Sequence, residues 1–250
     1  MNRGDDTFLD ILRKERRDIL DRLRETRFTC LRPGISHAQI ISFASYSPWL
    51  DDIDFSEIFK AISESTLVDI YRCYELYTLA RQLAYLPGEI VEVGVWRGGT
   101  AALLAKAVPG KIIHLYDTFS GVVKAKKEFD TIYTGGEHAD TGEYLVRNLF
   151  KSLDLPCQIH VGVFPEDTDG ALPETVSLAH IDVDTYQSAL DSFLTIWPRL
   201  SINGMMIFDD YGFFGCEGVT QAVQEVLAST RNALFIYNLN GHGILTKTSP

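Results

Sequence analysis

Apolar side chains at Phe8, Ile11, Leu12, Ile19, Leu20 and Leu23 recur at helical spacing inside an otherwise charged segment, which predicts an amphipathic helix over Asp6–Glu25. Residues 28–55 show no such period. They are broken by Pro33-Gly34 and Pro48, hold the acidic group Asp51, Asp52 and Asp54, and read as irregular. A second helix is expected over Thr66–Tyr85, with Leu67, Ile70, Tyr74, Tyr77 and Ala84 along one side and Pro87-Gly88 as its stop. From Glu89 the rhythm changes. Short β-branched runs at 89–93, 112–116, 159–163, 178–183 and 205–208 alternate with helical stretches at 101–108, 141–153, 185–197 and 219–229. The tail differs again, because Ala233–Asn238 and Gly243–Lys247 flank Asn240-Gly241, a strong hairpin signal. Strands separated by helices require right-handed crossovers and a parallel sheet. The expected class is therefore α/β: a doubly wound, mostly parallel sheet of seven strands with a C-terminal antiparallel hairpin. An N-terminal helical or cap region over 1–86 precedes the sheet domain at 87–250.

Composition narrows the possible partners. With 46% hydrophobic residues among 250, one core of good size can form. The formal charge of −11 argues against nucleic acid, whose phosphates need a basic surface. No apolar run reaches the ~18 residues of a membrane span, so no membrane partner is expected. Cys30, Cys73, Cys157 and Cys216 lie far apart without a CxxC pair, which reads as reduced thiols in a cytoplasmic protein.

Chemistry concentrates at predicted strand ends, where doubly wound sheets bind their ligands. EIVEVGVWRGGT, residues 89–100, delivers Gly94, Gly98 and Gly99 from a strand into the start of a helix, so that a ligand can approach the backbone closely. Val95 and Trp96 follow Gly94 where the dinucleotide fingerprint G-x-G-x-x-G needs a second glycine, which points to a nucleotide-type ligand lacking pyrophosphate. Asp117 closes the next strand about twenty positions later, the spacing at which an acid meets a ribose hydroxyl pair. Glu92, inside the strand, needs a partner, either a positive ligand group or nearby backbone. Gly162–Phe164 could floor an adenine. HIDVDTY at 180–186 and FDDYG at 208–212 bring Asp182, Asp184, Asp209 and Asp210 to one edge if their strands are neighbours. Two such charges ~4 Å apart repel by about 4 kcal/mol at an effective dielectric of 20. A divalent cation with an all-oxygen shell would offset this, whereas capping of the following helices would leave the site without metal. His180 reads as a satisfied core imidazole. The segment Val122–Asp140, with three lysines and Gly135-Gly136, reads either as a lid or as a surface insertion.

EVGVWRGGT, YDTFSG at 116–121, the block 180–212 and CEGVTQAV at 216–223 resemble the macrocin O-methyltransferase (TylF-type) family, within the Rossmann-like class I methyltransferases. The resemblance implies transfer of a methyl group from S-adenosylmethionine to a hydroxyl of a small molecule, a sugar or another natural-product acceptor, with Mg2+ or Mn2+. It implies Asp184 as general base and Asp182, Asp209 and Asp210 as metal ligands. The donor would be held by Glu92, Gly94, Val95, Trp96, Gly99, Thr100, Asp117, Thr118, Phe119, Gly162, Phe164 and Asp182. It also implies a homo-oligomer. Alternatives on the same scaffold are a catechol or phenol O-methyltransferase, an N-methyltransferase, and a donor-binding protein without turnover.

Overall fold

A computed structural model describes residues 10–19, 26–28, 36–38 and 46–250. Positions 10–19 are helical (α1), and the remainder of the helix expected over 6–25 lies outside the described residues. Thr26–Phe28 (β1) and Ser36–Ala38 (β2) pair antiparallel. That pairing departs from the irregular reading of this region, because strands of three residues are too short to print a period of two.

The chain divides into two compact units, residues 1–48 and 49–250. The boundary expected at 86/87 falls inside the second unit. The second unit begins with α2 (Ile53–Ile62) and α3 (Ile70–Gln82), whose buried Phe55, Ile58, Ile62, Leu76 and Tyr77 belong to the same core as the sheet. Sequence pattern had shown no α2. Asp52 caps it, accepting from the Phe55 N–H at 3.0 Å. Asp69 caps α3 through Tyr71 and Arg72, so this helix starts later than its apolar period suggested.

The sheet strands are β3 (Glu89–Val93), β4 (Ile113–Asp117), β5 (Gln158–Val161), β6 (Val176–Ile181), β7 (Leu200–Phe208), β8 (Ala233–Tyr237) and β9 (Gly243–Lys247). Their order is β5-β4-β3-β6-β7-β9-β8. All pairs through β7 are parallel, and β9 runs antiparallel to both β7 and β8. The expected doubly wound sheet and terminal hairpin are both present. Helices α4 (Gly99–Ala107), α5 (Glu143–Ser152), α6 (Tyr186–Ile196) and α7 (Glu217–Ser229) make the crossovers.

Strand alternation separates two cores. Ile90, Leu178, Ile207 and Ile244 face the α2–α5 side, while Val91, Val93, Ala179, Ile181, Met206, Phe208 and Leu245 face α6 and α7. On the first face the alternation runs on into polar residues. Glu92 and His180 are register partners, and Asp209 and His242 fall two positions from the paired residues Ile207 and Ile244. A polar stripe is therefore laid under α3 by strand period alone. The strand order reverses between β3 and β6, and that point places the site.

Candidate active site

A cavity of about 310 Å³ opens beyond the carboxyl ends of β3, β4, β6 and β7. One wall is the turn after β3. Gly94 has φ +83°, and a Cβ there would fall 1.7 Å from the Asp182 carbonyl oxygen, so only glycine fits. Asp117 fixes this turn: its Oδ2 accepts the N–H groups of Val95 and Trp96 at 2.7 and 2.8 Å, and its Oδ1 accepts that of Phe119 at 2.6 Å. One acceptor site, on Oδ1, remains on the carboxylate for a ligand hydroxyl.

Of the residues expected at the donor, Gly94, Val95, Trp96, Thr100, Asp117, Thr118, Gly162, Phe164 and Asp182 line this cavity. Glu92, Gly99 and Phe119 do not. Gly99 is packed beneath the Ser65 carbonyl, where a Cβ would meet it at 2.6 Å. Glu92 is fully buried, and its Oε1 takes a 2.7 Å hydrogen bond from His180 Nδ1. The partner of Oε1 is thus a neighbouring side chain, because the parallel register sets residue 180 beside residue 92, while Oε2 is buried without one. His180 in turn is only half satisfied, since its Nε2 is buried without a partner.

The other wall carries Asp182, Asp184, Asp209 and Asp210, all on the cavity. None of them caps α6 or α7. Asp184 has φ +61°, and the Thr185 N–H reaches back to the Val183 carbonyl at 2.7 Å, a tight γ-turn of the rare, strained hand. This turn also brings Val183 to the cavity, where simple alternation had sent it away. Asp210 is likewise left-handed, at φ +58°. Burial, then the charges of Asp209, Asp210 and Asp184, push the Asp182 carboxyl well above the usual carboxylate range. Burial also raises Asp184, against a hydrogen bond from Tyr133, and Asp210 is pushed up to about 7 by burial and the Asp209 charge. For Asp209 burial acts upward, but His242, Arg72 and His180 together hold it below the ordinary value.

Sequence reasoning missed Arg72, Tyr133 and His138. Arg72 leaves α3 almost fully buried, with Nε on Asp69 at 2.9 Å and Nη1 on both Asp209 and Asp210, the latter at 3.1 Å. Phe213 lies under the guanidinium at 4.8 Å. Burial works against its charge, but the three aspartates raise its pKa further. An arginine in an amphipathic helix prints no signal of this kind.

Tyr133 and His138 come from the segment 122–140, which packs on the site. Asp130 accepts the Lys126 and Tyr186 N–H groups at 2.8 and 2.9 Å, capping α6 from outside its own helix. Lys124 Nζ bonds the Phe164 carbonyl, Glu166 and Asp191. Thr185 Oγ1 donates to the Val123 carbonyl at 3.1 Å.

The donor set suits a hard divalent cation in charge and atom type, with four carboxylates facing one guanidinium. Among the described residues, the groups whose ligand atoms all approach within 4.8 Å are His180, Asp209 and His242, and Asp184, Asp210 and Cys216. Asp182 belongs to neither group.

This sheet order, with a glycine-turned nucleotide-type pocket at its switch point and an acidic edge beside it, defines a Rossmann-like protein of the class I methyltransferase type. The family model described as Macrocin-O-methyltransferase (TylF) matches residues 64–235. The chain belongs to that family. It is 27% identical over 157 residues to a demethyldecarbamoylnovobiocin O-methyltransferase of Streptomyces niveus, covering 57% of this chain and 59% of that one. It is 29% identical over 145 residues to an 8-demethyl-8-(2,3-dimethoxy-alpha-L-rhamnosyl)-tetracenomycin-C 4'-O-methyltransferase of Streptomyces olivaceus, covering 52% and 56%. The chain thus spans less than two thirds of these relatives. The solved O-methyltransferase NovP superposes with a TM-score of 0.64 at 24% identity, over 74% of this chain and 83% of that one, a likeness of fold. No helix among the described residues is long and apolar enough to cross a membrane.

Proposed function

We propose that this chain is an S-adenosylmethionine-dependent O-methyltransferase acting on a hydroxyl of a sugar or other natural-product acceptor, with bound Mg2+ or Mn2+. One observation carries the reading: the glycine turn and the acidic edge meet back to back at Gly94 and Asp182, so one cavity has a donor wall and an acceptor wall. The names of the relatives, which specify novobiocin-type and rhamnosyl-bearing acceptors, support the acceptor class.

The turn at Gly94–Trp96 and the remaining acceptor site of Asp117 would hold the nucleoside, with Gly162 and Phe164 along its base. When bound, the donor supplies an electrophilic sulfonium methyl. Asp184, displayed by its γ-turn and held by Tyr133, takes the proton of the acceptor hydroxyl as the new O–CH3 bond forms and the C–S bonding pair leaves with sulfur. Asp182, Asp209 and Asp210 would hold the divalent cation, which lowers the pKa of a coordinated hydroxyl. Arg72 fixes Asp209 and Asp210, while Val122, Val123 and His138 of the segment 122–140 wall the cavity from water. In α1, Ile11, Leu12 and Ile19 are exposed, which supports a homo-oligomer; a single-chain mass by light scattering at micromolar concentration would remove that part.

The test is calorimetry with S-adenosylmethionine, with and without Mg2+, followed by methyl-release assays on sugar diols, catechols and amines. Donor binding with ether product only under Mg2+ or Mn2+ is expected. Donor binding without product under metal would make the chain a binding protein, and methylated amine would move the reaction to nitrogen.

A further inference from the structure

We propose that His180, His242 and Asp209 form a buried binding site for a nitrogen-preferring divalent ion of the zinc class, one layer beneath the acidic edge of the cavity. The three side chains come from β6, from the residue just before β9, and from the residue just after β7, on the polar stripe that strand alternation places under α3. Both imidazoles are fully buried and Asp209 is 2% exposed.

Three of the buried polar atoms that lack a hydrogen-bond partner are His180 Nε2, His242 Nε2 and Asp209 Oδ2. Leaving one such atom unpaired costs about 1–3 kcal/mol, so three around one point call for an occupant. His180 Nε2 lies 3.9 Å from Asp209 Oδ2, and His242 Nε2 lies 3.6 Å from Asp209 Oδ1. These separations are too long for direct hydrogen bonds. They are close to the roughly 3.4 Å edge of a tetrahedron built on metal–ligand bonds of about 2.1 Å.

The far side of each imidazole is prepared in the same way. Glu92 Oε1 sits 2.7 Å from His180 Nδ1, and Glu75 Oε2 sits 2.5 Å from His242 Nδ1. A carboxylate there assigns the proton to Nδ1 and turns the Nε2 lone pair towards Asp209, the carboxylate–histidine arrangement that supports metal-bound imidazoles. Asn238 further orients Glu75, while Arg72 and the Asp210 N–H hold Oδ1 of Asp209; its unpartnered Oδ2 faces the buried site, so Asp209 would be shared between this ion and the cation of the cavity. The charges agree. Glu75, Glu92 and Asp209 surround the site with acidic groups, and the one guanidinium nearby is shared with Asp69 and Asp210, so the surroundings favour a cation. Two imidazolium rings facing Asp209 are the alternative occupant-free arrangement, with Nε2–H groups 3.9 and 3.6 Å from its oxygens, longer than a hydrogen bond. Two nitrogens and one oxygen favour the zinc end of the divalent series over Mg2+. Asp209 lies on the cavity wall and offers the route in.

The experiment uses the full chain stripped by chelator and then titrated with Zn2+ and, as a coloured probe, Co2+. Expected are one equivalent of Zn2+ per chain, intense visible Co2+ bands of low coordination number, and two imidazole nitrogens in X-ray absorption of the wild-type protein. Millimolar Mg2+ should not displace the ion. His180→Gln and His242→Gln should each weaken Zn2+ at least about 100-fold, and Glu92→Gln about 10-fold or more. The X-ray absorption needs no variant, so a misfolded glutamine variant leaves the test intact. Absence of stoichiometric Zn2+, an all-oxygen shell, or unaltered affinity in a folded histidine variant would overturn the proposal. None of these readouts involves methyl transfer, so a failure of the methyltransferase reading would register separately.

Discussion

Replacing Gly94 with alanine tests the back-to-back contact on which the cavity is built. Two costs add. A non-glycine residue at φ +83° is disfavoured by about 1–2 kcal/mol. The new methyl also meets the Asp182 carbonyl at 1.7 Å, and reaching even a tight 3.0 Å contact means opening the two strand ends by about 1.3 Å. That carbonyl is backbone, held in the β3–β6 ladder by the Asp182 N–H bond to Val93 at 2.9 Å, so no flexible side chain can yield in its place. Such forced repacking costs about 1–3 kcal/mol, giving a total of about 2–5 kcal/mol. For a chain of this size that is a fall of roughly 4–20 °C in melting temperature. Below the transition the folded variant should bind S-adenosylmethionine more weakly. Turnover should fall about 100-fold, because a displacement of ~1 Å at Asp182 spoils the alignment of donor and acceptor walls. Differential scanning calorimetry and donor titration measure both effects. A variant with the wild-type melting point and undiminished donor affinity would refute the contact and the cavity drawn from it.

Removing Arg72 as Arg72→Met leaves Asp209 and Asp210 without their guanidinium, a loss of about 3–5 kcal/mol in chelator-treated protein by urea unfolding. Mg2+ should raise the unfolding midpoint of this variant more than that of the wild type, and equal midpoints in chelator would show the pair to be idle. Asp184→Asn should reduce turnover by about 10²–10⁴-fold while donor affinity survives, and unchanged turnover would remove Asp184 as base. Asp130→Ala deprives the Lys126 and Tyr186 N–H groups of their acceptor, at about 2 kcal/mol, and should expose Gly135-Gly136 to protease; an unaltered cleavage pattern would mean that other contacts hold the segment.

The amino-acid sequence by itself determined the sheet, the hairpin and most of the strand-end residues that line the cavity. Those features are local: β-branched runs, Gly94 after a strand, Asn240-Gly241, and aspartates just past strand ends all act through the backbone of their own neighbourhood. The stretch before Glu89 was less legible. The period of α2 was masked by the acidic residues and Pro48 around it, and the start of α3 was decided by the Asp69 cap. Tertiary structure alone decided the partners. Glu92 meets His180 because β3 and β6 are neighbours in register, across 88 residues of chain, and Arg72 reaches Asp209 across 137. Asp130 caps a helix that begins 56 residues later. Each pairing depends on strand order and helix placement, and those follow from how the whole chain buries its apolar faces, so no window along the sequence contains them.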